Sequence, residues 1–380
     1  MKIALLTLPI TNNYGGILQA WALKEVLEQL GNKVHLLNIQ PADTKKYRFT
    51  LPLKKFIAKV IGLLPNRKNY HYIDYRYLQT KNFMQFKEAN FKLSKELYSS
   101  QDLRELFHKD NFEAIVVGSD QVWRKWNFTS LDFFFLSWLN VDVPKLGYAI
   151  SYGKDEWELT KEETPKYSNL AKTFNALSMR EDAGVELTKK YLGVDSIHVL
   201  DPTMLLDIKD YNQLIEKRSL VDNKKGIFNY VLDLTEGKKE IINECSRILG
   251  VSSFEVMPKR RSFDPYEKCP DEYYTFPPIE EWLSAFKSSD FVITDSFHGT
   301  VFSIIYNKPF LVIGNNFRGL SRIKSLHKIF SLENRLVTND SIYSAIEIAN
   351  SPIDWEKVNK QRELWKEKSI NFLKQNLNNL

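Results

Sequence analysis

His298 is the residue of this chain best placed to do chemistry. It lies in FVITDSFHGTVFSIIYNKPFLVI, Phe291 to Ile313. There FVIT predicts a strand, Asp295-Ser296-Phe297-His298-Gly299 a polar turn, Thr300 to Tyr306 a short apolar helix, and FLVI a second buried strand. Asn307-Lys308-Pro309 turns the chain between the last two. In an open α/β sheet, ligands bind beyond the carboxyl ends of strands, and a following helix offers free backbone N–H groups, here including Gly299, to an anion. An imidazole there can hold an anion, move a proton or do both. The plainer alternative is a core histidine bonded to a backbone carbonyl.

Arg180 follows an expected strand, Asn175 to Met179, and precedes an expected helix, Ala183 to Tyr191, opened by Glu181-Asp182. A guanidinium at such a strand end suits a carboxylate or phosphate; otherwise it is a surface arginine paired with Glu181 or Asp182. Arg318-Gly319-Leu320-Ser321-Arg322 reads as a polar loop that either meets an anion or is a solvated basic turn. The loop Asn13-Tyr14-Gly15-Gly16, between the first strand and its helix, suits a sugar or phosphate but lacks the dinucleotide fingerprint. Asn13 and Gln19 are candidate acceptor contacts there, with Gly15 and Gly16, while Tyr14 is equally a packing aromatic. Ser119-Asp120-Gln121 ends another strand, where Asp120 could orient or deprotonate a hydroxyl; Trp123 either stacks on a sugar or packs. Asp295 orients His298 or caps its turn. The six histidines are scattered and no carboxylates have ligand spacing, so no metal site is expected.

These residues need strand ends to carry them, and the chain supplies two alternating series. The first runs from the strand Lys2–Leu8 and helix Ile17–Leu30 through strands at 34–39, 113–117, 145–151, 173–178 and 196–200. The second begins at Ile227, passes a helix to Leu249 and a strand at 254–257, and leads into the His298 segment. Residues 258–278 form an unassigned loop. The reading is α/β: two doubly wound Rossmann-like domains facing a central cleft, residues 1–205 and 206–354, with a helix in 355–380 crossing back to the first.

A chain of 380 residues with 43% hydrophobic content can bury two cores. No apolar run approaches the roughly 20 residues that span a bilayer, and neither a secretory signal nor a metal-like cysteine spacing is present, so a reducing cytoplasm is expected. The net charge of +6 is uneven. Between residues 45 and 68 lie Lys45, Lys46, Arg48, Lys54, Lys55, Lys59, Arg67 and Lys68 with no acidic residue, around Leu53, Ile57, Val60, Ile61 and Leu64 at helical spacing. Such a helix either packs its stripe on the body or lies on an anionic membrane as a peripheral contact. No nucleic-acid motif accompanies the charge.

Six strings in order resemble the polysaccharide pyruvyl transferase family: the His298 segment, Asn13 to Ala20, Val117 to Trp123, Tyr148 to Gly153, Ser178-Met179-Arg180-Glu181 and Asp201-Pro202-Thr203. They span the chain to about residue 330. The resemblance implies a fold similar to GT-B glycosyltransferases and transfer of pyruvate from phosphoenolpyruvate to two hydroxyls of a sugar, giving a cyclic ketal and phosphate. It implies phosphoenolpyruvate as co-substrate with no further cofactor, and a polysaccharide precursor, free or lipid-linked, as acceptor. His298 and Arg180 would then contact the donor, with Gly299, Arg318, Ser321 and Arg322 beside them. Asn13, Tyr14, Gly15, Gly16, Gln19, Ser119, Gln121 and Trp123 would face the acceptor, with Asp120 catalytic. A nucleotide-sugar glycosyltransferase and a non-catalytic glycan- or phosphate-binding protein are the rival expectations.

Overall fold

The computed structural model describes residues 1–41, 43–62, 74–125, 130–218, 224–260, 270–315, 318–337 and 341–378. Its first sheet comprises β1 (Lys2–Leu6), β2 (Lys33–Leu36), β3 (Ala114–Asp120), β4 (Lys145–Ile150), β5 (Ala176–Met179) and β6 (Ile197–His198) in the order β2-β1-β3-β4-β5-β6. The second comprises β7 (Ile227–Tyr230), β8 (Ser253–Phe254), β9 (Phe291–Thr294), β10 (Phe310–Ile313) and β11 (Leu336–Val337) in the order β11-β10-β9-β7-β8. Each named pairing is parallel. That explains the continuous apolar runs of β3 and β9, which are buried throughout because helices cover both faces.

Strand order reverses between β1 and β3 in one sheet and between β7 and β9 in the other. At such a point neighbouring connections leave on opposite faces, and a crevice opens beyond the strand ends. Asn13 to Gly16, Asp120 and His298 stand at the strand ends and helix starts beside these two places. One apolar core joins the halves: Trp21 packs on Tyr211, Tyr211 on Phe302, and Phe302 on Trp282. The helix Trp355–Asn378 returns to the first half, where Ser369 Oγ accepts from Leu200 N at 3.0 Å and Arg362 donates to the Leu206 carbonyl at 2.7 Å.

Helices begin earlier than the apolar periodicity predicts. The first spans Tyr14–Gln29 because the Asn13 side chain caps Gly16 N–H at 3.0 Å. The helix after β9 spans Phe297–Ile305, with Ser296 as cap, so His298 and Gly299 stand in its first turn and not in a loop. Arg322 likewise belongs to a helix, Leu320–Phe330, where the sequence suggested a polar loop. Helices Tyr75–Asn90, Ile208–Glu216 and Ile342–Asn350 and the two-residue β11 were not expected; the last three are short, and the first, 16 residues long, buries only Phe83, Phe86 and Lys87, too few to make an apolar period. Of the basic segment, Thr44–Gly62 is a helix, and Leu64, Arg67 and Lys68 lie outside the described residues.

Candidate active site

The carboxyl ends of the two sheets meet around a buried charge cluster. From the first half, Arg180 at the end of β5 donates to Asp120 Oδ1 at the end of β3 and to Asp201 Oδ2, each at 3.0 Å. From the second half, His298 Nε2 stands 3.5 Å from Asp201 Oδ2, and Arg322 Nη1 is 3.9 Å from Asp120 Oδ1. The ring of Phe297 lies under both guanidiniums, 4.6 Å from Arg180 Cζ and 5.5 Å from Arg322 Cζ. None of the five charged or titratable groups is more than 6% exposed. Arg180 is therefore a buried cation with two carboxylate partners, and the surface pairing with Glu181 or Asp182 does not form.

Each shift in this cluster has an electrostatic cause. Burial alone would raise Asp120 and Asp201, but the charges of Arg180 and His298 outweigh it and hold both below the usual carboxylate range. Burial raises Glu181 more than the nearby arginines lower it, although Glu181 accepts from Ser151 Oγ at 2.9 Å and from the Tyr152 and Gly153 amides. Arg322 is lowered to about 10, first by burial and then by repulsion from Arg180, so it remains charged at neutral pH. Its Nη2 donates to the Arg318 carbonyl, while its Nε finds no partner among the described residues. Arg180 thus spends both terminal nitrogens on carboxylates and keeps only its Nε without a partner among the described residues, whereas Arg322 makes a single hydrogen bond there, to a carbonyl, and has more bonding capacity left.

The other sequence candidates fall into distinct places. Gly15 packs directly on the imidazole: a Cβ there would lie 2.0 Å from His298 Nδ1. Gly299 packs on Thr294, whose Oγ1 would be 2.1 Å from such a Cβ. Asn13 caps its helix, with Gly16 the donor to its side chain. Gln19 is buried and spends its amide on Thr7, the Gly16 carbonyl and Ser119 N–H, which ties β1 to β3. Ser119 is wholly buried and donates to the Ala149 carbonyl, while Gln121 accepts from Arg124. Tyr14 stacks on Trp282 at 5.2 Å and donates to the Pro277 carbonyl, so it docks one half on the other. Trp123 stacks on Phe135 at 4.1 Å and has no open face for a sugar. Arg318 is exposed and forks onto Asp233 at 2.5 and 2.7 Å, and Ser321 Oγ is buried without a partner among the described residues. Asp295 faces away from His298, accepting from Lys238 Nζ at 2.7 Å and from the Leu232 and Asp233 amides.

Asp201 is the residue to which sequence reasoning gave no role, although it stood in a quoted string. It follows β6, holds Thr203 N–H and Oγ1 on one oxygen, and turns the other toward both Arg180 and His298. The available signal was an acidic residue closing a strand before proline. No group of metal-ligating residues occurs among the described residues.

Two parallel-sheet domains with a charged site between their carboxyl edges define a GT-B-like fold, and solved structures agree. UGT89C1 of Arabidopsis thaliana, solved with UDP-L-rhamnose, matches at 11% identity over 98% of each chain with a TM-score of 0.53. The UDP-N-acetylglucosamine 2-epimerase of Rickettsia bellii matches at 8% identity over 98% of this chain and 96% of its own, with a TM-score of 0.50. Such distant likeness shows the fold alone. Comparison with curated proteins finds no significant match. The sequence model of the family described as polysaccharide pyruvyl transferase matches residues 13–316, and the chain belongs to that family.

Proposed function

We propose that this protein transfers pyruvate from phosphoenolpyruvate to two hydroxyls of a sugar in a polysaccharide precursor. The observation that carries the reading is that His298 and a charged Arg322, with one hydrogen bond among the described residues, both reach the same buried cluster between facing strand ends in a chain of that family. The donor is a carboxylate and phosphate on a short enol, and a buried guanidinium beside a helix N-terminus suits either anion. Arg322 is assigned to the donor. Arg180, already bound to two aspartates, is assigned to hold Asp120 and Asp201 in place and to keep the site's charge balanced.

The chemistry then needs one proton delivered and two removed. A sugar hydroxyl adds to C2 of the enol while C3 takes a proton from His298, whose imidazole Asp201 orients. The hydroxyl gives up its own proton to a carboxylate, a role assigned to Asp120. A second hydroxyl attacks C2 and passes its proton to the departing phosphate as the bond from C2 to the phosphate oxygen breaks and the ketal ring closes. Cations and helix N-termini around the donor stabilise the departing phosphate. We place the reaction in the cytoplasm, with which the buried free thiol of Cys245 is in keeping. No described helix is long and apolar enough to cross a membrane.

The test is donor choice. Purified protein is incubated with sugar acceptors and either phosphoenolpyruvate or nucleotide sugars. Acceptor-dependent phosphate release from phosphoenolpyruvate supports the reading. Nucleotide release would replace it with glycosyl transfer, and acceptor binding without turnover would leave a binding protein.

A further inference from the structure

The basic helix Thr44–Gly62 presents two faces, and the apolar one is turned outward. Thr44 and Ala58 are buried against the body and Tyr47, Leu51 and Ile61 are half-buried. On the opposite side Phe49, Leu53 and Phe56 are 87%, 60% and 64% exposed, and Ile57 and Val60 continue the row. The expectation that the stripe packs on the body therefore fails for Leu53, Ile57 and Val60. Positions 49, 53, 56, 57 and 60 follow helical spacing, so they form one strip roughly 16 Å long lying along the helix. Two phenylalanines in a row of five apolar side chains facing solvent are not solvated surface by default.

Charge says what covers that strip. The helix carries Lys45, Lys46, Arg48, Lys54, Lys55 and Lys59 and no carboxylate. Nearby carboxylates are already matched: Glu96 is forked by Arg48 at 2.6 and 2.8 Å, and Asp43 is paired with Arg76. A second copy of this helix would bring lysines against lysines, a like-charge meeting that costs affinity. An apolar row of Phe, Leu, Ile and Val with lysines along its flanks is the pattern of a helix lying in a bilayer interface rich in anionic lipid. We propose that Thr44–Gly62 docks this protein on an anionic membrane, its strip from Phe49 to Val60 in the headgroup boundary and Lys46, Lys55 and Lys59 on lipid phosphates. The helix follows β2, which leaves the first sheet at the carboxyl edge that carries the active site. Docking thus brings that edge toward saccharides built at a membrane surface.

The proposal is tested by sedimenting the full chain with vesicles of phosphatidylglycerol and phosphatidylcholine, or of phosphatidylcholine alone, at low and physiological salt. The unaltered protein is expected to pellet with anionic vesicles and not with neutral ones. Phe49→Ser with Phe56→Ser, and separately Lys46→Glu, Lys55→Glu and Lys59→Glu together, should each lower binding at least tenfold, with circular dichroism and soluble-acceptor activity unchanged. Equal partition to both vesicle types, no binding to either, or binding untouched by both folded variants would overturn it. So would concentration-dependent self-association abolished by the serine variant in protein that ignores vesicles, which would make the strip a dimer surface.

Discussion

Gly15 and His298, one from each half of the molecule, touch so closely that a methyl group on Gly15 would lie 2.0 Å from the imidazole Nδ1. The first helix of one domain therefore sets the position of the histidine on the other. Gly15→Ala should displace the ring from Asp201 and cut turnover at least tenfold. The fold and the helix are expected to survive, because alanine favours a helix over glycine. Wild-type activity in a folded Gly15→Ala protein would show that the ring has room to move.

His298→Gln keeps an amide of similar reach but no acid. Loss of a positioned proton donor should lower kcat by roughly 10² to 10⁴ while leaving the melting temperature nearly unchanged. Steady-state kinetics with phosphoenolpyruvate gives the answer, and a kcat within a few-fold of normal would remove His298 from proton transfer.

Arg180 and Arg322 should separate cleanly. Arg180→Ala strips the countercharge from two buried aspartates and should destabilise the fold by about 3–5 kcal/mol, seen in urea unfolding. Arg322→Ala relieves repulsion with Arg180 and loses a 3.9 Å carboxylate contact, one hydrogen bond to the Arg318 carbonyl and a contact with the Phe297 ring, none of which leaves a buried charge unpaired. It should instead raise the KM for phosphoenolpyruvate with a smaller change in kcat, the signature of lost uniform binding. The reverse pattern would exchange the roles given to the two arginines.

Acid should destabilise the fold before the carboxylates titrate. Burial lowers His198 to about 4 and His327 to about 3, and both His327 nitrogens lack partners among the described residues. Because the folded values lie below the ordinary histidine value near 6.5, only the unfolded chain takes up these protons as pH falls. Stability is thus full above about pH 6.5 and is lost progressively as pH falls, down to about 4 for His198 and about 3 for His327. Urea midpoints at pH 7.5 and 5 measure it, and His327→Phe should flatten part of the slope. An identical slope in that variant would place the acid sensitivity elsewhere.

The strand ends were legible because buried parallel strands are short unbroken apolar runs, and Asp120, Arg180 and His298 each follow one. What they do there was not. Sequence cannot show that Arg180 spends both ends of its guanidinium on aspartates separated from it by 60 and 21 positions, or that Asp201 and not Asp295 faces His298. Trp123 and Gln19 looked like ligand contacts because aromatic and amide groups at loops usually are accessible; here tertiary packing consumed both. The outward row at Phe49 and Phe56 escaped for the opposite reason, since periodicity marks an apolar stripe but not which way it faces.

The central claim is that pyruvate arrives from phosphoenolpyruvate with a proton added at C3. The direct measurement is to run the reaction in deuterium oxide with phosphoenolpyruvate and a precursor glycan and to examine the purified glycan by NMR and mass spectrometry. The account predicts a ketal methyl carrying one deuterium, formed in step with phosphate release and absent with His298→Gln. A glycan recovered without a ketal, or with a ketal methyl that carries no deuterium, would contradict it.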